Sequence, residues 1–466
     1  MISCIVSSCL YIVGTLIGVV AGLVLLTRLY YQSKRPSTYT IGFFHPYCAA
    51  GGGGERVLWC AVKAIQESYP DANCLVYTGD TISDDEIFNK INNTFMIELK
   101  RKNIEFIRLT KRKYVEDSLY PVFTLLGQSL GSMILGMEAL SKCNPHVYID
   151  TMGYAFTYPI FRILGGSKVA CYVHYPIVSS DMIVKVANQQ NLTLKRKIFS
   201  NVKLVYYKIF AIIYRLVGNL SQLVFVNGTW TGNHISTLWK RTFKKDVILL
   251  YPPVDVSSRI ALPLNWQKRK NMVLSIAQFR PEKDHMLQLL TLDHLLKTHP
   301  QHKKDLELVM VGSCRGEEDR GRVEQLEKKI KELGLEKNVR ICVGVSAQEL
   351  NDLFAQASVG IHTMWCEHFG IGVVELMAGG LIPVAHDSAG PKEDIVLPGT
   401  GFLATTKEQY ANYIHEIIAN KPKYADMQKA ARESTNRFSE TTFIQQFKNH
   451  IKLIIDYKSK NIKKDQ

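Results

Sequence analysis

Cys366-Glu367-His368-Phe369-Gly370-Ile371-Gly372-Val373-Val374-Glu375-Leu376-Met377-Ala378-Gly379 reads as a loop running into a short helix. Glu367 falls just before the helix and Glu375 inside it. Eight residues at helical rise span about 12 Å, close to the reach from a hexose to a ribose across a diphosphate. Gly370 and Gly372 leave the first N–H groups of that helix open to an anion. Either glutamate alone has a plain reading, an acid complementing the helix dipole. The pair with glycines between them is a stronger signal.

Working outward, short apolar runs rich in β-formers alternate with longer helical stretches. In the C-terminal half they lie at 272–277, 306–311, 339–343, 359–362 and 381–385, and in the N-terminal half at 39–44, 73–77, 146–149, 168–173 and 222–226. This alternation predicts two doubly wound α/β domains with parallel sheets. Tyr251-Pro252-Pro253 and the basic cluster Gln267-Lys268-Arg269-Lys270 interrupt the series. A boundary there divides the chain into 38–255 and 270–435, with a helix at 436–457 expected to return toward the first domain and a polar tail at 458–466.

In a doubly wound sheet, ligands sit outside the carboxyl ends of the strands. Ala277-Gln278-Phe279-Arg280-Pro281-Glu282-Lys283 stands at such an end, where Arg280 and Lys283 can neutralise a diphosphate, although a solvated basic turn explains them too. His45, Asp150, His174 and Asn227 occupy the same place after strands of the first domain, where a cap or a structural polar group is the ordinary reading for any one alone. Ala50-Gly51-Gly52-Gly53-Gly54-Glu55-Arg56 follows the first strand and allows close backbone approach to a ligand, with a flexible loop as the plain alternative. The run matches neither a P-loop nor a dinucleotide-binding fingerprint.

The segment 2–26 carries no charged side chain and is long enough to cross a bilayer as a helix. It lacks the basic start of a signal peptide. We therefore read 1–31 as an anchor, and Arg28, Lys34 and Arg35 place the body on the cytosolic side. The 10 cysteines show no C-x-x-C pair and no zinc spacing, consistent with a reducing compartment. Sequons at Asn92, Asn191, Asn219 and Asn227 should then stay unmodified. The stretch 203–217 reads equally as a basic amphipathic helix at a membrane interface or a surface helix packed on the sheet, whereas 122–140 reads as a core helix. A formal net charge of +15 suits an anionic membrane or a phosphorylated substrate, and the dispersal of charge argues against a nucleic-acid interface.

The glutamates Glu367 and Glu375 with the basic turn before them resemble glycosyltransferase family 4. Pro46-Tyr47-Cys48-Ala49-Ala50-Gly51-Gly52-Gly53-Gly54-Glu55-Arg56-Val57-Leu58-Trp59, Tyr172-Val173-His174-Tyr175-Pro176 and Gln278-Phe279-Arg280-Pro281-Glu282-Lys283 are similar to the dolichol-pathway GDP-mannose-dependent α-1,2-mannosyltransferases within it. The resemblance implies a GT-B fold of two Rossmann-like domains facing across a cleft, and retaining transfer of mannose in α-1,2 linkage from GDP-mannose to a diphosphodolichol-linked oligosaccharide. It implies no metal and no cofactor, and an endoplasmic reticulum membrane location. Partners would be the two substrates, membrane lipid and other enzymes of the pathway, with no nucleic acid.

Carried over by position, the resemblance gives Glu375 the donor ribose, Glu367 the mannose hydroxyls, and Lys283 with Arg280 the diphosphate. Phe369, Gly370, Ile371 and Gly372 complete the donor loop, and Gly51, Gly52, Gly53, Gly54, Glu55, Asp150 and His174 fall on the acceptor side. His174, Glu367, Lys283 and Arg280 would be the catalytic set. The family arginine usually stands five residues before the lysine, where this chain has Gln278. A related enzyme using a UDP-sugar, or a non-catalytic membrane-tethered anion-binding protein, is the alternative. The orientation has a direct test: protease added to sealed microsomes should digest the body beyond residue 31, and a protected, glycosylated body would reverse it.

Overall fold

The computed structural model describes residues 2–178 and 194–455. The sequon at Asn191, the tail 458–466 and the last two positions of the expected C-terminal helix lie outside the described residues. The described chain divides into two compact units. Unit one runs to Asn227, resumes over Thr231–Leu250 and takes in the chain from Ile444. Unit two comprises Gly228–Trp230 and Tyr251–Phe443.

Unit one holds a parallel sheet of seven strands in the order β3-β2-β1-β4-β5-β6-β7. They are β1 Thr40–Phe44, β2 Asn73–Thr78, β3 Ile104–Arg108, β4 Val147–Asp150, β5 Lys168–Val173, β6 Leu223–Val226 and β7 Val247–Leu249. The central strands are buried throughout, as strands covered on both faces must be. Unit two holds six parallel strands in the order β10-β9-β8-β11-β12-β13. These are β8 Lys270–Ile276, β9 Glu307–Gly312, β10 Val339–Val343, β11 Ala357–His362, β12 Ile382–His386 and β13 Phe402–Ala404.

In both sheets the winding direction reverses once, between β1 and β4 in unit one and between β8 and β11 in unit two. Loops leaving the carboxyl ends of those neighbours turn to opposite faces and open a crevice, which fixes where polar loops can meet. The strands that escape the periodicity are β3, β7 and β13, each at a sheet edge. β3 carries Glu105 and Arg108, and β7 and β13 have three residues each, so their apolar signal is weak.

The N-terminal helix Ile2–Ser33 presents exposed apolar side chains from Tyr11 to Tyr30 and is long and apolar enough over Tyr11–Ser33 to span a bilayer. Its end is fastened to unit one: Asn144 Nδ2 donates to Tyr31 O at 3.0 Å, and Arg35 Nη2 donates to Gly165 O at 2.7 Å. The helix Glu440–Ile451 ends within unit one, where Phe447 packs on Phe225 and Lys448 pairs with Glu67 at 2.5 Å. The helix Thr124–Lys142 buries Ser129, Gly131, Ser132 and Leu135 but leaves Leu130 and Ile134 exposed.

Two approaches too close for a side chain set the loops of unit two. A Cβ on Gly312 would lie 2.0 Å from Ala277 O, so the end of β9 passes directly beneath the basic turn after β8. A Cβ on Gly390 would lie 2.2 Å from Phe369 O, and Gly390 N donates to Glu367 O at 2.9 Å. Backbone cannot yield as a flexible side chain can. Gly390→Ala should therefore destabilise the protein by about 1–3 kcal/mol and displace the glutamate loop. Thermal unfolding of the two proteins in the same detergent reads it, and an unchanged Tm would show the approach to be slack.

Candidate active site

In unit two, β8 and β11 flank the reversal, and the site grows from their ends. After β8 the chain makes the turn Pro281–Lys283, then Asp284 caps the helix His285–Thr298 by accepting from Leu287 N. Thr363 Oγ1, just beyond β11, donates to Lys283 O at 2.8 Å and to Asp284 O at 3.0 Å, which ties the basic turn to the neighbouring strand. Lys283 Nζ then reaches Glu367 Oε2 at 2.6 Å, and His362 Nε2 stands 3.4 Å from the same oxygen. Both partners of the ion pair are mostly buried, with side-chain exposures of 22% and 17%. Burial alone pushes the Glu367 carboxyl up, but the His362 hydrogen bond and the Lys283 charge overcome it and pull it down to about 2. Glu367 is therefore ionised across the physiological range.

The loop holding Glu367 is laced to the chain after β12. Cys366 N donates to Ser388 Oγ at 2.8 Å, and Ser388 Oγ also meets His386 Nδ1 at 2.9 Å. Cys366 at φ 59°, Gly370 at φ 113° and Ala389 at φ 45° all occupy positive-φ backbone, two of them without the glycine that tolerates it. Such conformations persist only where surrounding structure imposes them. Gly370 starts the helix Ile371–Ala378, and Gly372 lies against Ile276, where a Cβ would meet its carbonyl at 3.2 Å. Glu375 sits mid-helix and half-buried. The Phe369 ring is buried against Tyr251 and Phe438, so it braces the loop from the core instead of lining an open surface.

Arg280 is placed differently from Lys283. Its guanidinium is 3.8 Å from Glu282, and it lines a pocket of about 120 Å³ with Asp284, His285 and Arg322.

In unit one, β1, β4 and β5 are neighbours in that order; His45 and His174 directly follow β1 and β5, and Asp150 closes β4. His45 is fully buried, with Nδ1 on Thr151 Oγ1 at 2.8 Å and Nε2 on Glu55 Oε1 at 3.1 Å. Glu55 in turn accepts from Gly52 N at 2.5 Å, so the glycine run is a folded turn and helix start, from Gly51 at φ 86° into the helix Gly53–Ser68. Burial raises the Glu55 carboxyl, but the hydrogen bond and charge of His45 with the Gly52 amide bring it below its ordinary value.

Asp150 is fully buried and accepts from Met152 N, Gly153 N and Tyr158 OH at 2.7–3.1 Å. Burial pushes it up to about 6 against those donors. His174 Nε2 meets Thr151 O at 3.0 Å. A carbonyl only accepts, so Nε2 carries the proton, and burial holds the imidazole neutral by lowering it to about 4. Gly54 packs beside that ring, with a Cβ there 3.7 Å from Nε2. His174, Gly54 and Glu55 line a cavity of about 370 Å³ with Gln128, Ser129 and Ser132.

The structure thus brings Glu367 and Lys283 into contact, and gathers Gly54, Glu55 and His174 around one cavity. Asp150 is a buried structural acceptor one strand away, and Asn227 is buried with an Oδ1 that has no hydrogen-bond partner among the described residues. Sequence reasoning missed His362, Thr151 and Asp394. His362 ends a strand, the signal that marked His45 and His174. Asp394, which accepts from Thr229 N, Thr229 Oγ1 and Tyr251 OH, had no local signal because its partners lie more than 140 residues away. Gln128, Ser129 and Ser132 lie within 122–140, which the sequence presents as a core helix, and their place at the cavity carries no local signal.

Residues 38–239 match the ALG11 mannosyltransferase N-terminus family, and residues 259–434 match the glycosyl transferases group 1 family. A Dictyostelium discoideum protein named GDP-Man:Man(3)GlcNAc(2)-PP-Dol alpha-1,2-mannosyltransferase is 59% identical over 93% of this chain and 88% of its own. The Homo sapiens protein of that name is 48% identical over 86% of this chain and 84% of its own. Among solved structures, a glycosyltransferase from Rickettsia africae superposes with TM-score 0.64 at 16% identity, covering 91% of this chain and all of that one. The sucrose-phosphate synthase of Thermosynechococcus elongatus superposes with TM-score 0.62 at 16% identity, covering 89% and 98%. These likenesses show the GT-B fold. Two matching family models and long relatives of 48–59% identity carry one conclusion: this chain belongs to the GDP-Man:Man(3)GlcNAc(2)-PP-Dol alpha-1,2-mannosyltransferase family of glycosyltransferases.

Proposed function

We propose that the chain transfers mannose from GDP-mannose in α-1,2 linkage, with retention of configuration, to a diphosphodolichol-linked oligosaccharide at the cytosolic face of the endoplasmic reticulum membrane. The observation that carries this reading is Glu367, held ionised by Lys283 at 2.6 Å ahead of the helix that bears Glu375. The names of the relatives supply the donor, and they disfavour the UDP-sugar alternative.

Unit two binds the donor. Glu375 accepts from the ribose hydroxyls and Glu367 from hydroxyls of the mannose. Lys283 and the N–H groups at the start of the helix Ile371–Ala378 face the diphosphate, whose charge grows as the sugar bond breaks. Donors fixed in advance act on that growing charge without reorganising. Unit one supplies the acceptor side. With Nε2–H committed to Thr151 O, the unprotonated Nδ1 of His174 is an acceptor for a sugar hydroxyl at the 370 Å³ cavity. Glu55, fixed by His45 and Gly52, offers a second acceptor at the cavity wall.

Glu375→Ala should mainly raise the KM for GDP-mannose, while Glu367→Ala should lower kcat. Lys283→Ala and Arg280→Ala should each lower the rate by more than about tenfold, the scale of one charge-assisted contact at ~1.4 kcal/mol, with Gln278→Ala near wild type. Wild-type kinetics in both glutamate variants would remove the basis of the reading, and a silent Arg280→Ala would leave the diphosphate to Lys283 and the loop backbone.

The His174 ring loses its neutral form only as pH falls toward 4. The acceptor kcat/KM should therefore show no His174 inflection at the ordinary imidazole value between about pH 8 and about 5.5. An inflection near pH 6.5 that disappears in His174→Asn would contradict this.

A further inference from the structure

Gly228–Trp230 runs into the helix Thr229–Trp239 and belongs to unit two, although the chain on both sides of it belongs to unit one. A carboxylate fastens it there. Asp394 is buried; its Oδ2 accepts from Thr229 N at 2.7 Å, and its Oδ1 accepts from Thr229 Oγ1 at 2.6 Å and from Tyr251 OH at 3.0 Å. Burial and the Asp394 charge push the Tyr251 phenol up, so it stays protonated and donates. Arg437, whose Nη2 donates to Ile395 O at 3.1 Å, brings an opposite charge to the same neighbourhood. A buried carboxylate with three donors holds its partners far more firmly than a neutral cap does.

The carboxylate owes its place to a widened turn. Pro391–Ile395 is a π-helix, closed by Val396 N donating to Pro391 O at 2.9 Å. Such turns hold one residue more than an α-turn, are rare, and concentrate at functional sites. This one follows directly on Gly390, whose amide already binds Glu367 O.

The segment that Asp394 holds lies against the glutamate loop in two places. A Cβ on Gly228 would lie 2.9 Å from Asp394 Oδ2 and 3.2 Å from His368 O, so only a glycine lets this backbone come so near. The buried Trp230 ring stands 4.9 Å from the His368 ring at 36°. Ser388 and Gly390 therefore hold the loop at Cys366 and Glu367, and Gly228 and Trp230 hold it at His368, the next residue. The other donor-site groups are seated separately. Buried Val373, Val374 and Met377 root the helix that bears Glu375, and Thr363 ties down the backbone of Lys283.

We propose that Asp394 is a positioning residue for the transfer: through Thr229 and Trp230 it fixes His368 and so aims the Glu367 carboxylate at the sugar of the donor. Asp394 itself touches no substrate. The proposal rests on the reading of Glu367 as the mannose contact. It separates two properties of the donor site, because GDP has no sugar for Glu367 to meet and is held by Glu375, Lys283 and the helix N–H groups. A misaimed Glu367 then costs turnover and spares GDP binding.

The test is a double-mutant cycle on the full-length protein in phospholipid vesicles, reading kcat for mannose transfer and Kd for GDP. Asp394→Ala should lower kcat by about tenfold or more and leave the GDP Kd within about threefold. Asp394→Asn should recover most of that loss, since its oxygen can accept from Thr229 N and its N–H groups can donate to the two hydroxyls. Trp230→Leu should match Asp394→Ala, whereas Trp230→Phe, which keeps a ring on His368, should stay within about threefold of wild type. In a Glu367→Ala background, Asp394→Ala should cost less than about twofold more, because residues acting through one contact do not add. A further loss of about tenfold in that background would overturn the proposal. So would a wild-type kcat in Asp394→Ala, or a GDP Kd that weakens in step with kcat. If Asp394→Ala does not fold, Trp230→Leu takes its place in the cycle with the same outcomes. A wild-type protein that does not turn over GDP-mannose, or a wild-type kcat in Glu367→Ala, would remove the Glu367 reading and this proposal with it.

Discussion

The ion pair of Lys283 with Glu367 is the contact on which the donor half of the site depends. A mostly buried carboxylate needs its charge matched, and removing one partner of such a pair costs on the order of 3–5 kcal/mol. The fold supplies the partner because β8 and β11 lie side by side at the reversal of the sheet, so the turn after one strand and the loop after the other meet. Thr363 clamps the turn, Ser388 and Gly390 clamp the loop, and His362 adds a second donor at 3.4 Å. The helix bearing Glu375 then inherits its position from a loop that can adopt few conformations.

Unit one solves a related problem without a lysine. Its buried acid, Glu55, is matched by His45 and by the amide of Gly52, so the four-glycine run is folded around a carboxylate. The glycine at 52 leaves room for the Glu55 carboxylate, whose Oε2 would lie 2.8 Å from a Cβ there. In both units a polar network at strand ends is completed by backbone groups that only close approach makes available.

Much of this was legible in the sequence. The ten apolar runs foretold ten of the thirteen strands, because parallel strands buried on both faces read as continuous β-formers. The edge strands β3, β7 and β13 were not, since half-exposed or three-residue strands carry little periodicity. Glu367, Lys283, Glu55 and His174 could be named because strand ends and glycine spacing mark them locally. His362 as a partner of Glu367, and Asp394 as the acceptor for Thr229 and Tyr251, depend on contacts between distant segments. The reading of 203–217 stayed divided because sequence shows two apolar faces but not which one the sheet uses; Tyr207, Phe210 and Tyr214 turn out to take the sheet side.

The central claim is the transfer itself, and one measurement addresses it most directly. Purified full-length protein in phospholipid vesicles is given Man(3)GlcNAc(2)-PP-dolichol and, in parallel, radiolabelled GDP-mannose, UDP-glucose or UDP-N-acetylglucosamine. The account predicts label in the lipid-linked product from GDP-mannose alone, released by an α-1,2-specific mannosidase. Transfer from a UDP-sugar, or mannose that this mannosidase cannot release, would contradict it.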